Sequence, residues 1–485
     1  IMSNATATTL TGQAEFLGHP RGLVTCFFTE MWERFSYYGM RALLVLYLIS
    51  ATGGPDGLAA NPGFGWAEED AYRLYGLYTW AVYLTPIFGG LIADRFLGTH
   101  RSLIVGGWII AAGHITLAAT ELFAIEPGLP VGPGTSPGAL TCFIAGLVLI
   151  VIGTGFFKPC VSVMVGQLYQ TDDPRRDAGF TIFYMGINLG AALAPLVAGT
   201  LGETVGWHWG FGSAAVGMIL GIVIYQYLRP RYLAGIGLAP ERNAAARAAQ
   251  RPILPLSGVE WRRVLVILVL AFFGNVAFWT AFEQAGSSMN VFAAQSTDRT
   301  LWGLLSDPFP ATWYQSANPL AIITFAPVFA WLWVVLGRRG LEPSTPVKFC
   351  LGLWLLGLAF LAMVAGSLEA RSGGLAGAHW LLITYVVYTW GEICLSPVGL
   401  SMVTKLAPAH LQSLMMGVWF FTFSLANLLA GEVARFSVVL ERGDVTFILP
   451  GLAGFYLMLV VVPIAIGLVL LVLTPLLKRW MHGIH

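Results

Sequence analysis

The chain has 485 residues, of which 56% are hydrophobic and only 11% charged, and its net charge at neutral pH is +1. Soluble domains contain about a quarter charged residues, so this composition excludes a soluble protein, and so small a net charge gives no reason to expect nucleic-acid binding. Apolar stretches long enough to cross about 30 Å of hydrocarbon as a helix recur along the whole chain. The short alternating segments of a β-barrel are absent. The sequence therefore predicts an all-α polytopic membrane protein.

About twelve apolar stretches follow one another along the chain. They predict transmembrane helices that start near Gly22, Tyr72, Ser102, Gly138, Ala178, Trp209, Trp261, Ser316, Val347, His379, Leu411 and Phe447.

A connection at 229–260, rich in Arg, Ala and Pro, separates the first six predicted helices from the last six. We therefore divide the chain into an N-terminal six-helix bundle at 1–228, a basic cytoplasmic linker at 229–260 and a C-terminal six-helix bundle at 261–485. Two six-helix halves joined in this way indicate the major-facilitator fold, whose substrate site lies between the halves near the middle of the bilayer.

The charges of the connecting segments predict the orientation of the helices. Three alternate connections are acidic or neutral, at 50–70, 126–136 and 203–208. The other connections are basic, and the excess of Lys and Arg marks the cytoplasmic side. With an even number of helices, both termini lie on that side, so we expect a multi-pass protein of the cell (inner or plasma) membrane. The basic residues are Arg95, Arg101, Arg175, Arg176, Arg229, Arg231, Arg242, Arg247, Arg251, Arg262, Arg263, Arg338, Arg339, Lys405, Lys478 and Arg479.

The first predicted helix carries an unusual set of polar residues in the stretch TEMWERFSYYGMR at 29–41. On a helix they fall within an arc of roughly 140° and form one polar stripe. A charge at the middle of the bilayer costs at least about 2.5–3.5 kcal/mol, so the stripe must be paired and face a wet cavity, or else form a self-neutralising cluster that only stabilises helix packing. The members of this first-helix stripe are Glu30, Glu33, Arg34, Tyr37, Tyr38 and Arg41.

The remaining charges inside predicted helices are few and unequally divided. Lys158 lies in the fourth helix, Glu283 in the seventh and Glu392 in the tenth. The first half thus supplies buried cations and the second half buried acids. A cavity between them would be positive on one wall and negative on the other, which suits a zwitterion such as an amino acid or a short peptide.

Several segments resemble one known family. The run from Glu30 to Gly39 is similar to the ExxERFxYYG motif of the proton-coupled oligopeptide transporters (POT/PTR), a family of the major facilitator superfamily, and here the bacterial type. The segment GGLIADRFLGTHR at 89–101 resembles the family's loop between helices two and three, and FTIFYMGINLGA at 180–191 resembles its fifth-helix signature. QSANP and GEICLSPVGLS resemble segments of helices eight and ten, so that the resemblance runs from about Phe27 to Phe423.

The resemblance implies a proton-driven symporter that imports di- and tripeptides by alternating access. It implies that Arg34 and Lys158 hold the peptide carboxylate and that Glu392 holds the amino terminus. Asn188 and Asn318 would bind the peptide backbone, for which interhelical hydrogen bonding is the alternative. The side-chain pockets would be shaped by Tyr37, Tyr38, Tyr83, Trp279 and Trp419, although most aromatic residues in such a chain pack or lie in an interfacial belt.

The resemblance also implies how protons are coupled. Glu30, Glu33 and Glu283 would be the coupling acids, and Arg41 and Lys158 the ion-pair partners of Glu283. Some relatives carry two adjacent acids in the seventh helix, whereas here Phe282 precedes Glu283. A cytoplasmic turn is predicted between the second and third helices. Its residues Asp94, Arg95 and Arg101 are expected to act in gating.

Two other functions stay open at this point: a related carrier for another small solute such as nitrate or a modified amino acid, and a nutrient sensor that does not transport. An enzyme is not expected, because no connection is long enough for a catalytic domain and none carries a nucleophile or metal-ligand constellation. We expect no cofactor, with protons as the coupling ion, and no metal. The expected partners are peptides, protons and membrane lipid, and the expected functional unit is a monomer.

Overall fold

The computed structural model describes residues 15–482 except 55–56, 59, 125–133, 135, 171–172, 239–255 and 409. Twelve helical spans follow one another in the part of the chain that it describes. Those of the first half are α1 (Gly22–Ile49), α2 (Glu68–Ile92), α3 (Gly98–Ala118), α4 (Pro137–Gln167), α5 (Arg176–Ala194) and α6 (Trp207–Tyr232). Those of the second half are α7 (the pieces Gly258–Val269, Val276–Phe282 and Ser288–Gln295), α8 (Ala317–Arg338), α9 (Thr345–Gly373), α10 (His379–Leu406), α11 (Gln412–Arg442) and α12 (Gly451–Met481).

Each span begins within four residues of its predicted start. Ten helical segments are long and apolar enough to cross a membrane, and one of them, Glu68–Phe123, contains both α2 and α3. The helix α1 is not among the ten, because every stretch of it long enough to span the hydrocarbon contains at least three of its four charges. The predicted all-α membrane fold with about twelve helices is confirmed.

The domain boundaries at 228/229 and 260/261 stay predictions. The helix α6 ends at Tyr232 and α7 begins at Gly258, and most of the predicted linker lies outside the described residues.

Short non-α segments lie at helix ends and in the middle of α7. The π-helical turns are Ala93–Leu97, Pro195–Gly199, Leu201–Val205 and Leu270–Asn275, and the 3-10 turns are Ala119–Phe123, Glu283–Gly286 and Ala311–Ser316. Three two-residue strand pairs join Glu15–Phe16 with His19–Pro20 and Gly53–Gly54 with Gly57–Leu58, both antiparallel, and Thr297–Asp298 with Ala376–Gly377 in parallel. Interruptions of this kind within a membrane helix often mark functional sites, and in α7 one of them begins at Glu283.

The two halves meet through close packing of small residues. A Cβ atom added to Gly76 of α2 would lie 2.8 Å from the Cα atom of Gly431 of α11. Membrane helices without a hydrophobic driving force approach through such residues, because a small side chain lets the two backbones come close. A larger residue at either position would push the halves apart.

We call the end where α1 begins and α12 ends the near end, and the opposite end the far end. The far end is closed, since the Asn290 side-chain amide of α7 donates to the backbone carbonyl of Ala42 at 2.8 Å and Ser316 donates to that of Ala192 at 2.7 Å. One cluster of buried apolar side chains extends through both halves. A second cluster, at the near end, contains only residues of the first half among those described.

Candidate functional site

A cavity of about 210 Å³ lies between the two halves. Helices α1, α2 and α5 supply one wall, and α7, α8, α10 and α11 supply the other. Eight of the predicted site residues line it: Tyr38, Arg41, Tyr83, Asn188, Trp279, Glu283, Asn318 and Glu392. The cavity therefore lies where the major-facilitator arrangement places a substrate site.

An ion pair crosses from one wall of the cavity to the other. Nη2 of Arg41 lies 2.5 Å from Oε2 of Glu283, and Nε of Arg41 donates to the hydroxyl of Tyr75 at 2.7 Å. Both charged side chains are buried. Removing one member of such a pair leaves an uncompensated buried charge and is strongly unfavourable, so the charge state of Glu283 is tied to the contact between the halves.

The three charged members of the first-helix stripe that lie toward the near end pair with one another within the first half. Nε of Arg34 lies 3.0 Å from Oε1 of Glu30 and 2.6 Å from Oε2 of Glu33, and all three side chains are buried. Nη2 of Arg34 and Oε2 of Glu30 are buried without a hydrogen-bond partner among the described residues. The cluster therefore holds one more acid than arginine and keeps bonding capacity unused.

Lys158 does not pair with Glu283 as the resemblance implied. Its ammonium lies 3.5 Å from the centre of the Tyr83 ring, and no carboxylate of the described residues lies within ion-pair distance of it. Arg41, the other partner that the resemblance implied, does pair with the carboxylate of Glu283.

Arg34 and Lys158, the predicted binders of the peptide carboxylate, do not line the cavity in this conformation. Tyr83 does line it, and Lys158 lies directly on that ring. The two cations thus belong to the first half, on the side of the cavity that it forms, but they do not reach the cavity surface. Their predicted role requires Tyr83 or the cations to move.

Glu392 faces the cavity with a polar partner but no cation. The Asn318 side-chain amide donates to Oε2 of Glu392 at 2.8 Å and to the hydroxyl of Thr389 at 2.9 Å. No Lys, Arg or His of the described residues forms an ion pair with this buried carboxylate. A buried charge without a counter-charge is costly, and a substrate ammonium group would supply one. Asn318 of α8 thus makes the interhelical hydrogen bond that was the alternative to substrate binding, and its contact with a peptide backbone stays a prediction.

Asn188 lies on the opposite wall. Its amide donates to the backbone carbonyl of Tyr184, one turn earlier in α5, at 3.0 Å. This contact lies within one helix, so it is not the interhelical hydrogen bond that was the alternative to substrate binding. The contact with a peptide backbone stays a prediction.

Aromatic rings surround the polar groups. The ring centres of Trp279 and Phe423 are 5.0 Å apart, those of Phe282 and Tyr388 are 4.5 Å apart, and Tyr83 stacks against Phe423. The sequence analysis did not select Phe282, Tyr388 or Phe423, although Tyr388 lies one helical turn before Glu392 and so shares its face. These rings give the cavity apolar surfaces on which side chains can lie.

Two of the predicted aromatic residues do not line the cavity. Trp419 is only 1% exposed and packs against Phe349 and Phe423, and Tyr37 is buried against Tyr38. Their predicted role in shaping the side-chain pockets stays a prediction. Both support rings that do face the cavity, because Phe423 and Tyr38 line it.

Asp94, Arg95 and Arg101 lie where the sequence placed them, at the near-end turn between α2 and α3. Asp94 and Arg95 belong to the π-helical turn Ala93–Leu97, and all three side chains are exposed. None lines the cavity. A gating role for them stays a prediction.

A carboxylate that the sequence analysis missed joins the halves at the far end. Glu203, at the far end of the first half, accepts hydrogen bonds from the backbone N–H groups of Ala311 at 2.8 Å and Thr312 at 3.0 Å and from the Thr312 hydroxyl at 2.7 Å. The guanidinium of Arg299 lies 3.8 Å away. The first N–H groups of a helical segment lack partners within it, and a negative charge there is favourable. Glu203 thus caps the start of the 3-10 turn Ala311–Ser316, which leads into α8, across the interface, and we call this contact the far-end latch.

Replacing Glu203 by alanine is expected to shift the protein toward a conformation that is open at the far end. Loss of a charge-assisted hydrogen bond costs about 1.5–3 kcal/mol, which is roughly a ten- to hundredfold change in the equilibrium. Electron–electron distance measurements between labels at Leu122→Cys and Asp444→Cys, one on each half, detect the shift.

The matched control is Glu69→Ala, which removes the exposed far-end ion pair with Arg442. Exposed pairs contribute about 0–1 kcal/mol, so this variant should change the distance distribution much less. Equal distributions for Glu203→Ala and the unchanged protein would contradict the latch.

Comparison with known proteins decides the family. A model described as "PTR2: POT family" matches residues 100–237 and 242–447. The chain belongs to the POT family. It is 35% identical to a "Di-/tripeptide transporter" of Lactococcus lactis subsp. cremoris over 96% of this chain and 97% of that protein. Membership confirms the resemblance that rested on the first-helix stripe and the signatures of helices two to ten.

Two solved structures of POT proteins share this fold. One, a peptide transporter POT in complex with sulfate, superposes with a TM-score of 0.82 at 36% identity and covers 97% of this chain and 98% of that chain. The other, a POT family transporter in complex with 5-aminolevulinic acid, has a TM-score of 0.81 at 30% identity and covers 97% and 100%. The predicted major-facilitator fold of this POT protein is confirmed, and the chain is a multi-pass membrane protein.

Proposed function

We propose that this POT protein is a proton-driven symporter that imports di- and tripeptides by alternating access between its two six-helix halves. The observation that carries the proposal is the division of charge in the cavity. One buried acid, Glu283, is neutralised by Arg41 from the other half, and the second, Glu392, has no cation. The name of the Lactococcus relative supports the substrate class.

A peptide is bound at both of its charged ends. The peptide ammonium group pairs with Glu392, which Asn318 holds in place. The peptide carboxylate pairs with Arg34 and Lys158, which come forward past Tyr83. Arginine suits this role because its guanidinium can bind a carboxylate with two parallel hydrogen bonds. A POT relative binds 5-aminolevulinic acid, a small molecule with the same two charged groups.

Proton coupling depends on the ion pair between the two halves. A proton on Glu283 removes the charge that neutralises Arg41. The ion pair between the two halves is then lost, and this loss weakens the contact that closes the far end. A peptide carboxylate then compensates the buried cations of the first half. Glu30 and Glu33 are further coupling acids, since protonation of either one leaves Arg34 with a single acid partner.

The remaining parts of the proposal follow from orientation and composition. The near end is cytoplasmic, as the basic connections indicate, so both termini face the cytoplasm and the protein lies in the cell (inner) membrane. The functional unit is a monomer in contact with membrane lipid. The proposed mechanism uses protons as the coupling ion and no other cofactor, and it includes no enzymatic step.

Uptake of labelled dialanine into liposomes that contain the purified protein tests this function. An imposed inward proton gradient is expected to raise internal dialanine above the external concentration, whereas liposomes without a gradient should only equilibrate. Liposomes without protein provide the control. Equal uptake with and without the gradient would be consistent with a peptide carrier but would contradict proton symport. The absence of any uptake would contradict the proposed substrate class.

A further inference from the structure

The connection between α7 and α8 contains an apolar turn at residues 300–305. Three of its side chains are exposed: Leu304 is 81% exposed, Trp302 66% and Leu305 40%. No residue from 300 to 305 is charged. Apolar side chains grouped in this way on a loop mark an interaction surface.

The backbone holds this turn in an unfavourable conformation. Leu301 and Trp302 have φ angles of 54° and 58°, and Gly303 has 81°. Positive φ is costly for residues with a Cβ atom. The carboxylate of Asp298 fixes the conformation, since it accepts hydrogen bonds from the backbone N–H groups of Thr300 at 2.9 Å and Trp302 at 3.0 Å. The strained turn therefore presents its apolar side chains outward in a fixed arrangement.

Contacts within the second half place the turn beside the start of α10. The strand pair between Thr297–Asp298 and Ala376–Gly377 holds this connection beside the one between α9 and α10. The ring of Trp302 stacks on that of His379, with centres 5.9 Å apart and planes at 22°. His379 is the first residue of α10 and is followed by Trp380. Trp302 thus lies at the level where a membrane helix begins, among other aromatic residues.

Other exposed apolar side chains lie just before α10 and in its first turns. Leu375, Leu382 and Ile383 are exposed large apolar residues in the same region of the second half. Tryptophan is enriched where membrane proteins meet the headgroups, because its ring is apolar and its N–H is polar. We infer that the 300–305 turn is a lipid-binding surface that inserts Trp302 and Leu304 into the phospholipid interface at the far end and anchors the second half there.

The occupant is a phospholipid surface rather than a soluble partner. The turn offers no charged side chain for recognition by a polar surface, and it lies beside the start of α10, a helix long and apolar enough to cross a membrane. The inference depends on the membrane fold alone and not on peptide transport.

Depth measurements on a labelled cysteine test the inference. In a protein whose five cysteines have been replaced, the variant Leu304→Cys carries an environment-sensitive fluorophore and is reconstituted into phosphatidylcholine–phosphatidylglycerol vesicles. Nitroxide-labelled phospholipid quenches from the interface, and iodide quenches from water. Asp444→Cys, an exposed polar position on the connection between α11 and α12 at the same end, is the matched control.

The ratio of lipid quenching to iodide quenching is expected to be severalfold higher at position 304 than at 444. Adding Trp302→Ser should lower that ratio at 304 and leave 444 unchanged. Iodide quenching at 304 equal to that at 444 would overturn the inference. Protection of 304 from both quenchers would also overturn it, because protein and not lipid would then cover the turn.

Discussion

The Glu283→Gln protein is expected to lose proton-driven accumulation of dialanine and to keep exchange of internal for external peptide. One proton that moves across 100 mV contributes about 2.3 kcal/mol, which corresponds to roughly fiftyfold accumulation. Glutamine cannot release a proton, so Arg41 stays without its charged partner in every state of the cycle. Accumulation should fall to the external concentration.

Counterflow is the measurement that separates coupling from binding. It requires a loaded carrier that reorients, but no net movement of protons. Glu432→Gln, which removes an exposed ion pair with Arg435 on α11, is the matched control and should accumulate peptide normally. Full gradient-driven accumulation by Glu283→Gln would show that the pair with Arg41 is only structural.

The same logic extends to two acids of the first-helix stripe and to Lys158 of α4. Glu30→Gln, Glu33→Gln and Lys158→Ala are expected to impair accumulation, and at least one of the four variants should retain counterflow. If all four accumulated peptide as well as the unchanged protein, the self-neutralising cluster considered above would be the correct interpretation of the stripe.

Free dialanine is expected to compete for uptake roughly ten to a hundred times better than N-acetyl-dialanine. The acetyl group removes the ammonium charge that pairs with Glu392, and a charge-assisted contact is worth about 1.5–3 kcal/mol. The Glu392→Gln protein keeps the hydrogen-bond geometry near Asn318 but lacks the charge. Its preference for the free amino terminus should therefore shrink toward onefold.

The C-amidated peptide provides the internal control for this comparison of free and blocked peptides in the two proteins. Its penalty arises at Arg34 and Lys158, so it should persist in Glu392→Gln, because distant contacts contribute almost independently. An unchanged preference for the free amino terminus in Glu392→Gln would move the ammonium site elsewhere, and Glu283 is the other buried acid in the cavity.

The helices could be located from the sequence because hydropathy is a local property. Every start lies within four residues of its prediction, and α2 shows the physical reason for one of the largest differences. Glu68 to Asp70 form the first turn of α2, although their charge made them look like part of the preceding connection. Acidic residues are favourable in a first turn, which is why the helix starts earlier than its apolar stretch.

The site was predictable in its residue types but not in its pairing. The sequence grouped the first-helix stripe on one face, yet it could not show that Arg34 pairs within the first half while Arg41 crosses to Glu283. The choice between Arg41 and Lys158 as partner of Glu283 depends on the conformation of two packed halves. Glu203 was missed for a different reason, because its partners are backbone N–H groups that leave no mark in a sequence.

Proton movement driven by peptide alone is the most direct test of the proposed symport. Liposomes that contain the protein and an internal pH-sensitive dye receive external dialanine with no imposed proton gradient and with the membrane potential clamped. The proposal predicts acidification of the interior as protons enter with the peptide, and no acidification with dialanine blocked at both ends. Entry of labelled dialanine without any change of internal pH would contradict it.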